Sequence, residues 1–76
     1  MDNPLANKIE NYLAPLLGEM MAVSSVKVQC KNIGITPDNL KVDDLPRLAE
    51  RIEKALIIFI GSEKAKKTAE EIKNFR

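Results

Sequence analysis

Histidine and tryptophan are absent from this 76-residue sequence, which has one cysteine, one tyrosine and three glycines. Each shortage closes off some chemistry. Nucleophilic catalysis pairs a Ser, Cys or Thr with a proton acceptor, and without histidine the usual acceptor is missing. A single cysteine, Cys30, forms no internal disulfide, and with no histidine beside it there is no zinc cluster to build. The glycines, at 18, 34 and 61, stand alone, so neither a phosphate-cradling loop nor a dinucleotide fingerprint is present. The longest apolar run, Ala55 to Ile60, is too short to span a bilayer. No basic stretch followed by a long apolar run opens the chain, so no signal peptide is expected. One unpaired thiol fits a reducing compartment, and a cytoplasmic location is expected. Twelve basic residues against eleven acidic leave a net charge of +1, too little to attract nucleic acid or anionic lipid by a general field. No internal repeat and no low-complexity segment is read along the chain.

What is present suits a small folded unit. Apolar residues make up 45% of the chain, enough for one core, and residues 1–76 read as a single helical domain. Four helices follow from start signals, stop signals and apolar period. The first spans about Pro4 to Leu13, with Asn3 as N-cap and Leu5, Ile9, Tyr12 and Leu13 on one stripe. Pro15 is expected to end or kink it. The second spans Pro15 to Asn32 or Ile33, with Leu16, Leu17, Met20, Met21 and Val23 on a broad apolar face and Gly34 after its end. Val26, Val28 and Cys30 also alternate as in a strand, but the spacing of Val23, Val26, Cys30 and Ile33 favours helix. Pro37 to Leu40 predicts a short helical turn within the connector 34–42. The third helix spans Asp44 to Ile60, capped by Asp43 or Asp44 and ended by Gly61. The fourth spans Glu63 to Phe75, with Ser62 as N-cap. The expected fold is all-α: a compact antiparallel four-helix bundle or a less regular orthogonal one.

Candidate chemical groups have ordinary explanations. Ser24 and Ser25 sit within a helix and form no nucleophile elbow. Cys30 shares the core stripe with Val26 and Ile33, which suits a buried thiol. Asp43–Asp44 sits at a helix start, while Glu50–Glu53 and Glu70–Glu71 have basic neighbours, so capping or solvation accounts for all three pairs. Lys64, Lys66, Lys67 and Lys73 give the last helix a basic character, but Glu63, Glu70 and Glu71 interrupt it and no exposed aromatic is there to stack on bases. No cofactor, metal or small molecule is indicated.

The third helix asks for a partner. With Leu45 at zero and about 100° per residue, its core stripe comprises Leu48, Ala49, Ile52, Ala55, Leu56, Phe59 and Ile60. Ile57 falls near 120°, beside Glu50 and Glu53, and Ile58 falls near 220°, beside Arg47 and Arg51; both angles are approximate. The two isoleucines leave the stripe on opposite flanks. Either neighbouring helices cover them, or one of them is part of an apolar patch that buries in a partner, with a second copy of the chain the simplest one. Met20 and Met21 can join such a surface because methionine adapts to irregular neighbours.

The succession Leu13-Ala14-Pro15-Leu16-Leu17-Gly18, Gly34-Ile35-Thr36-Pro37, Asp44-Leu45 with Leu48, and Gly61 followed by Ala65 resembles small uncharacterised helical modules attached to prokaryotic signalling and regulatory proteins. Gly34-Ile35-Thr36 also resembles sterile-alpha-motif domains. The resemblance implies a helical bundle that makes contacts between proteins, and it transfers no functional residue. Acyl carrier proteins are similar in size only, since Asp43-Asp44-Leu45 has Asp where their attachment serine stands. The expected function is therefore a non-enzymatic protein–protein interaction module that self-associates through Ile57, Ile58, Met20 and Met21. The alternative is weak nucleic-acid binding through Lys64, Lys66, Lys67 and Lys73.

Overall fold

Asn3 starts the fold twice over. Its side-chain oxygen accepts hydrogen bonds from the N–H groups of Leu5 (2.9 Å) and Ala6 (3.3 Å), two donors that a helix start otherwise leaves unpaired. Its side-chain nitrogen donates to the carbonyls of Asp38 (3.1 Å) and Leu40 (3.0 Å), which ties the connector to the helix start. From this cap a computed structural model, describing residues 3–75, runs through helices α1 (Pro4–Leu17), α2 (Glu19–Asn32), α3 (Leu45–Ile60) and α4 (Ser62–Lys73). Single 3-10 turns at Pro37–Asn39 and Val42–Asp44 fill the connector. The chain is all-α, a four-helix bundle, and residues 22–30 are helical.

Several boundaries differ from the sequence reading. Pro15 does not end α1; the helix passes through it to Leu17. Pro15 lies in the last turn and forfeits one hydrogen bond, to the carbonyl of Asn11, an exposed residue within reach of water. The break falls at Gly18, whose φ of 88° and ψ of 155° belong to glycine alone. Asp44 precedes α3 without capping it. Its carboxylate instead accepts from the N–H of Lys41 (3.0 Å) and from Arg47 (2.8 Å). Ser62 is the first residue of α4, after Gly61 (φ 85°), and α4 stops at Lys73, where the Asn74 side chain donates to the carbonyl of Glu70 (3.0 Å).

The two glycine breaks are built alike. Gly18 N–H bonds the carbonyl of Ala14 (2.7 Å) and Gly61 N–H bonds that of Ile57 (2.9 Å). On the far side, Ala22 N–H reaches Gly18 (2.9 Å) and Ala65 N–H reaches Gly61 (3.0 Å). Sliding Gly18 onto Gly61 reveals a repeat that the sequence reading missed. Leu5 falls on Leu48, Ala6 on Ala49, Ile9 on Ile52, Glu10 on Glu53, Leu13 on Leu56 and Ala22 on Ala65. Apart from the glutamates, these matched residues are buried in both halves. The chain is thus two related helix–glycine–helix units, α1–α2 and α3–α4. The repeat escapes notice because outside the core positions the halves have diverged, most of all between α2 and α4.

The core is a single cluster drawn from both units. Ile9, Leu13, Leu45, Leu48, Ile52, Leu56 and Ile72 are its largest fully buried side chains. Cys30 lies in it beside no disulfide partner, and Thr68 is buried with it. Within each unit the helices pack on one another, and α2 also packs on α3.

A candidate interaction surface

Most of the large apolar side chains left outside the core gather around the glycine turns; Val28 and Val42, also exposed, lie elsewhere. Met20 is 85% exposed and Ile58 87%; Phe59 is 58% exposed, and Leu16, Met21, Val23 and Ile57 are each close to half exposed. All seven lie within five residues of Gly18 or Gly61, about 8 Å of helical rise. The turns are themselves neighbours, because Leu16 and Ile60 line one groove.

Ile57 and Ile58, which leave the α3 stripe on opposite flanks, are therefore both uncovered, and α3 does not become central at its end. Met20 and Met21 are also exposed. Phe59 is a correction, since its angle on α3 places it in the core stripe. It sits two residues before Gly61, as Leu16 sits two before Gly18, and at both positions the side chain escapes the core. Periodicity alone does not reveal where covering helices stop. Val23 departs from its expected face in the same way, because α2 buries only the narrow stripe of Ala22, Val26 and Cys30.

The groove, about 420 Å³, opens between α1 and α4. Tyr12, Pro15 and Leu16 of α1, with Ile60 from the end of α3, make a largely apolar wall and floor. Lys64, Lys67 and Glu71 of α4 make the opposite wall. No salt bridge engages Lys64 or Lys67 among the described residues. Burial raises the pKa of the Tyr12 phenol above its ordinary value, helped by its hydrogen bond to the Glu71 carboxylate and by that group's charge; Thr68 pulls the other way. At the closed end the Tyr12 ring meets Phe75 edge-on.

The repeat makes this groove informative. If the two units were strictly equivalent, α4 would meet α1 as α2 meets α3. α2 lies against α3 more closely than α4 lies against α1, and a groove opens between the latter two. Position by position, Tyr12 replaces Ala55, Lys64 replaces Met21 and Lys67 replaces Ser24. A ring thus stands where the other half has a methyl group, and lysines stand where it has Met21 and Ser24.

Other candidate groups remain apart from this surface. Cys30 is fully buried, and burial pushes its thiol up to about 11, with the Asp44 and Glu10 carboxylates adding to the rise. At neutral pH it stays a protonated thiol. Lys64, Lys66, Lys67 and Lys73 are all exposed but do not converge. Lys64 and Lys67 face the groove; Lys66 and Lys73 lie on the other flank of α4, roughly 100–180° away around the axis. The groove is the feature that sequence reasoning missed. Its only signal was the unequal pair Tyr12 and Ala55 in an unnoticed repeat. No family model, curated protein or solved structure matches the chain.

Proposed function

We infer that this chain is a non-enzymatic protein-interaction module that self-associates through the apolar surface around its paired glycine turns. The observation that carries this reading is Ile58, a large branched aliphatic side chain 87% exposed beside the half-exposed Ile57 and the exposed Phe59. Burying one such side chain in an interface is worth roughly 1.5–3 kcal/mol. That is a large return for a chain of this size, whose own net stability is about 3–5 kcal/mol. Met20 and Met21 supply adaptable contact area at the same turns. A second copy is the simplest partner because a two-fold contact uses one patch twice. The lone buried thiol fits a reducing, cytoplasmic setting.

Sedimentation equilibrium over a wide concentration range tests the reading. The apparent mass should rise with concentration for the wild type and remain that of a monomer for Ile58→Glu. A wild type that stays monomeric throughout overturns it.

A further inference from the structure

We propose that the groove between α1 and α4 receives the acidic flank of α3 from a second copy of the chain. This rests on the self-association reading and adds to the exposed Ile58 patch a second, charged contact on the other flank of α3. The groove's walls differ side by side along its length: Pro15, Leu16 and Ile60 are apolar, while the α4 wall carries Lys64 and Lys67, in no salt bridge among the described residues, with Glu71 beyond them engaged by Tyr12. A lateral split of this kind matches an amphipathic helix with an acidic stripe beside an apolar one. A straight-chain anion, charged only at its end, would leave one lysine unpaired. The lining positions span about one and a half helical turns on α1 and two on α4, roughly 8–10 Å.

The chain carries a helix of that description. On α3, Glu50, Glu53 and Ile57 share one flank, within about 60° of arc around the axis. Glu50 is exposed, Glu53 is half-buried and Ile57 is 42% exposed. None of the three lines the groove of its own molecule, to which α3 gives only Ile60. In a pair of copies Ile57 would meet Leu16 and Pro15, and the two glutamates would meet Lys64 and Lys67. The opposite flank of α3, with Arg47, Arg51 and Ile58, is excluded from the groove by like charge.

The repeat bears on this groove too. α2 packs on α3, whereas at the counterpart junction a groove lies between α1 and α4 and bears Lys64 and Lys67 where the other unit has Met21 and Ser24.

Two charge-reversed chains test the pairing. One carries Lys64→Glu and Lys67→Glu, the other Glu50→Lys and Glu53→Lys. Circular dichroism should give both the wild-type helical signal, since the neighbouring Ala49, Ile52, Ala65 and Thr68, not these side chains, are the buried ones. Each variant alone should self-associate at least about tenfold more weakly than the wild type, because like charges then face one another. Mixed in equal amounts, the two should recover wild-type association, because both contacts of the mixed pair are again between opposite charges. Wild-type association should weaken with added salt. If either variant associates as the wild type does, or the mixture stays dissociated, the groove is not the receiving surface. Those results leave self-association standing, whereas a monomeric wild type removes both.

Discussion

The ring of Tyr12 meets that of Phe75 edge-on, with centroids 5.4 Å apart and planes at 82°. The contact joins α1 to Phe75, two residues past the end of α4, beside the groove between those helices. Aromatic pairs in this geometry are worth about 0.5–1.5 kcal/mol beyond the area they bury. A double-mutant cycle with Tyr12→Leu and Phe75→Leu in urea unfolding should return a coupling of about that size. A coupling near zero would mean that the rings are neighbours without holding the helices.

Gly18 and Gly61 should tolerate substitution equally badly. A Cβ at either meets nothing within 4 Å, so space is not the obstacle. The obstacle is backbone conformation, with φ of 88° and 85°. Gly18→Ala and Gly61→Ala should each lower stability by about 1–3 kcal/mol. Chemical denaturation of both variants would check this, and a costless change at either turn would contradict the shared geometry.

Core and surface positions of α3 should separate cleanly. Leu56→Ala, at a site 1% exposed, should cost about 2–5 kcal/mol. Ile58→Ser, three-dimensionally outside the core, should move monomer stability by no more than about 0.5 kcal/mol. Urea midpoints at a concentration where the chain is monomeric give both values.

Cys30 should react with a thiol reagent only as fast as the fold opens, and denaturant should release the full reaction at once. Its alkaline behaviour follows from the raised pKa. Unfolded, the thiol titrates near its ordinary value of 9.0; folded, near 11. The group therefore supports the fold fully below pH 9, and that support is lost as pH rises through 11. The stability gap between wild type and Cys30→Ala should shrink across this window. A gap that stays constant would place the thiol in contact with water.

Asn3→Ala should destabilise by about 1 kcal/mol or somewhat more, since typical cap losses are 0.5–2 kcal/mol and here the same side chain also holds the carbonyls of Asp38 and Leu40. Hydrogen exchange should then quicken at the start of α1. Unchanged stability would mean that water replaces all of its bonds.

Much of this fold is legible in the residues themselves. The Asn3 cap, the full length of α3, the short turn at Pro37 and the helical spacing through Val26 and Cys30 all express local preferences or a 3.6-residue period. Local signals misplace the first break because proline looks like the stronger punctuation. In the last turn of α1, Pro15 costs one hydrogen bond, whereas Gly18 sets a backbone angle that no helix can continue. The departure of Ile57 and Ile58 from the stripe follows from angle alone, but whether neighbouring helices cover them does not. Nor does the exposure of Phe59, because it depends on where other helices end. The groove depends on the distance between α1 and α4, and no window of sequence contains both.

Having been written twice, the molecule carries its own control. Leu13 and Leu56, Ile9 and Ile52, Ala22 and Ala65 are matched pairs, each buried in both halves. Any substitution can be placed in either half and the two responses compared within one background. Where they agree, the shared architecture sets the cost; where they part, as they should around Tyr12 and Ala55, the difference measures how far one half has been freed for other work.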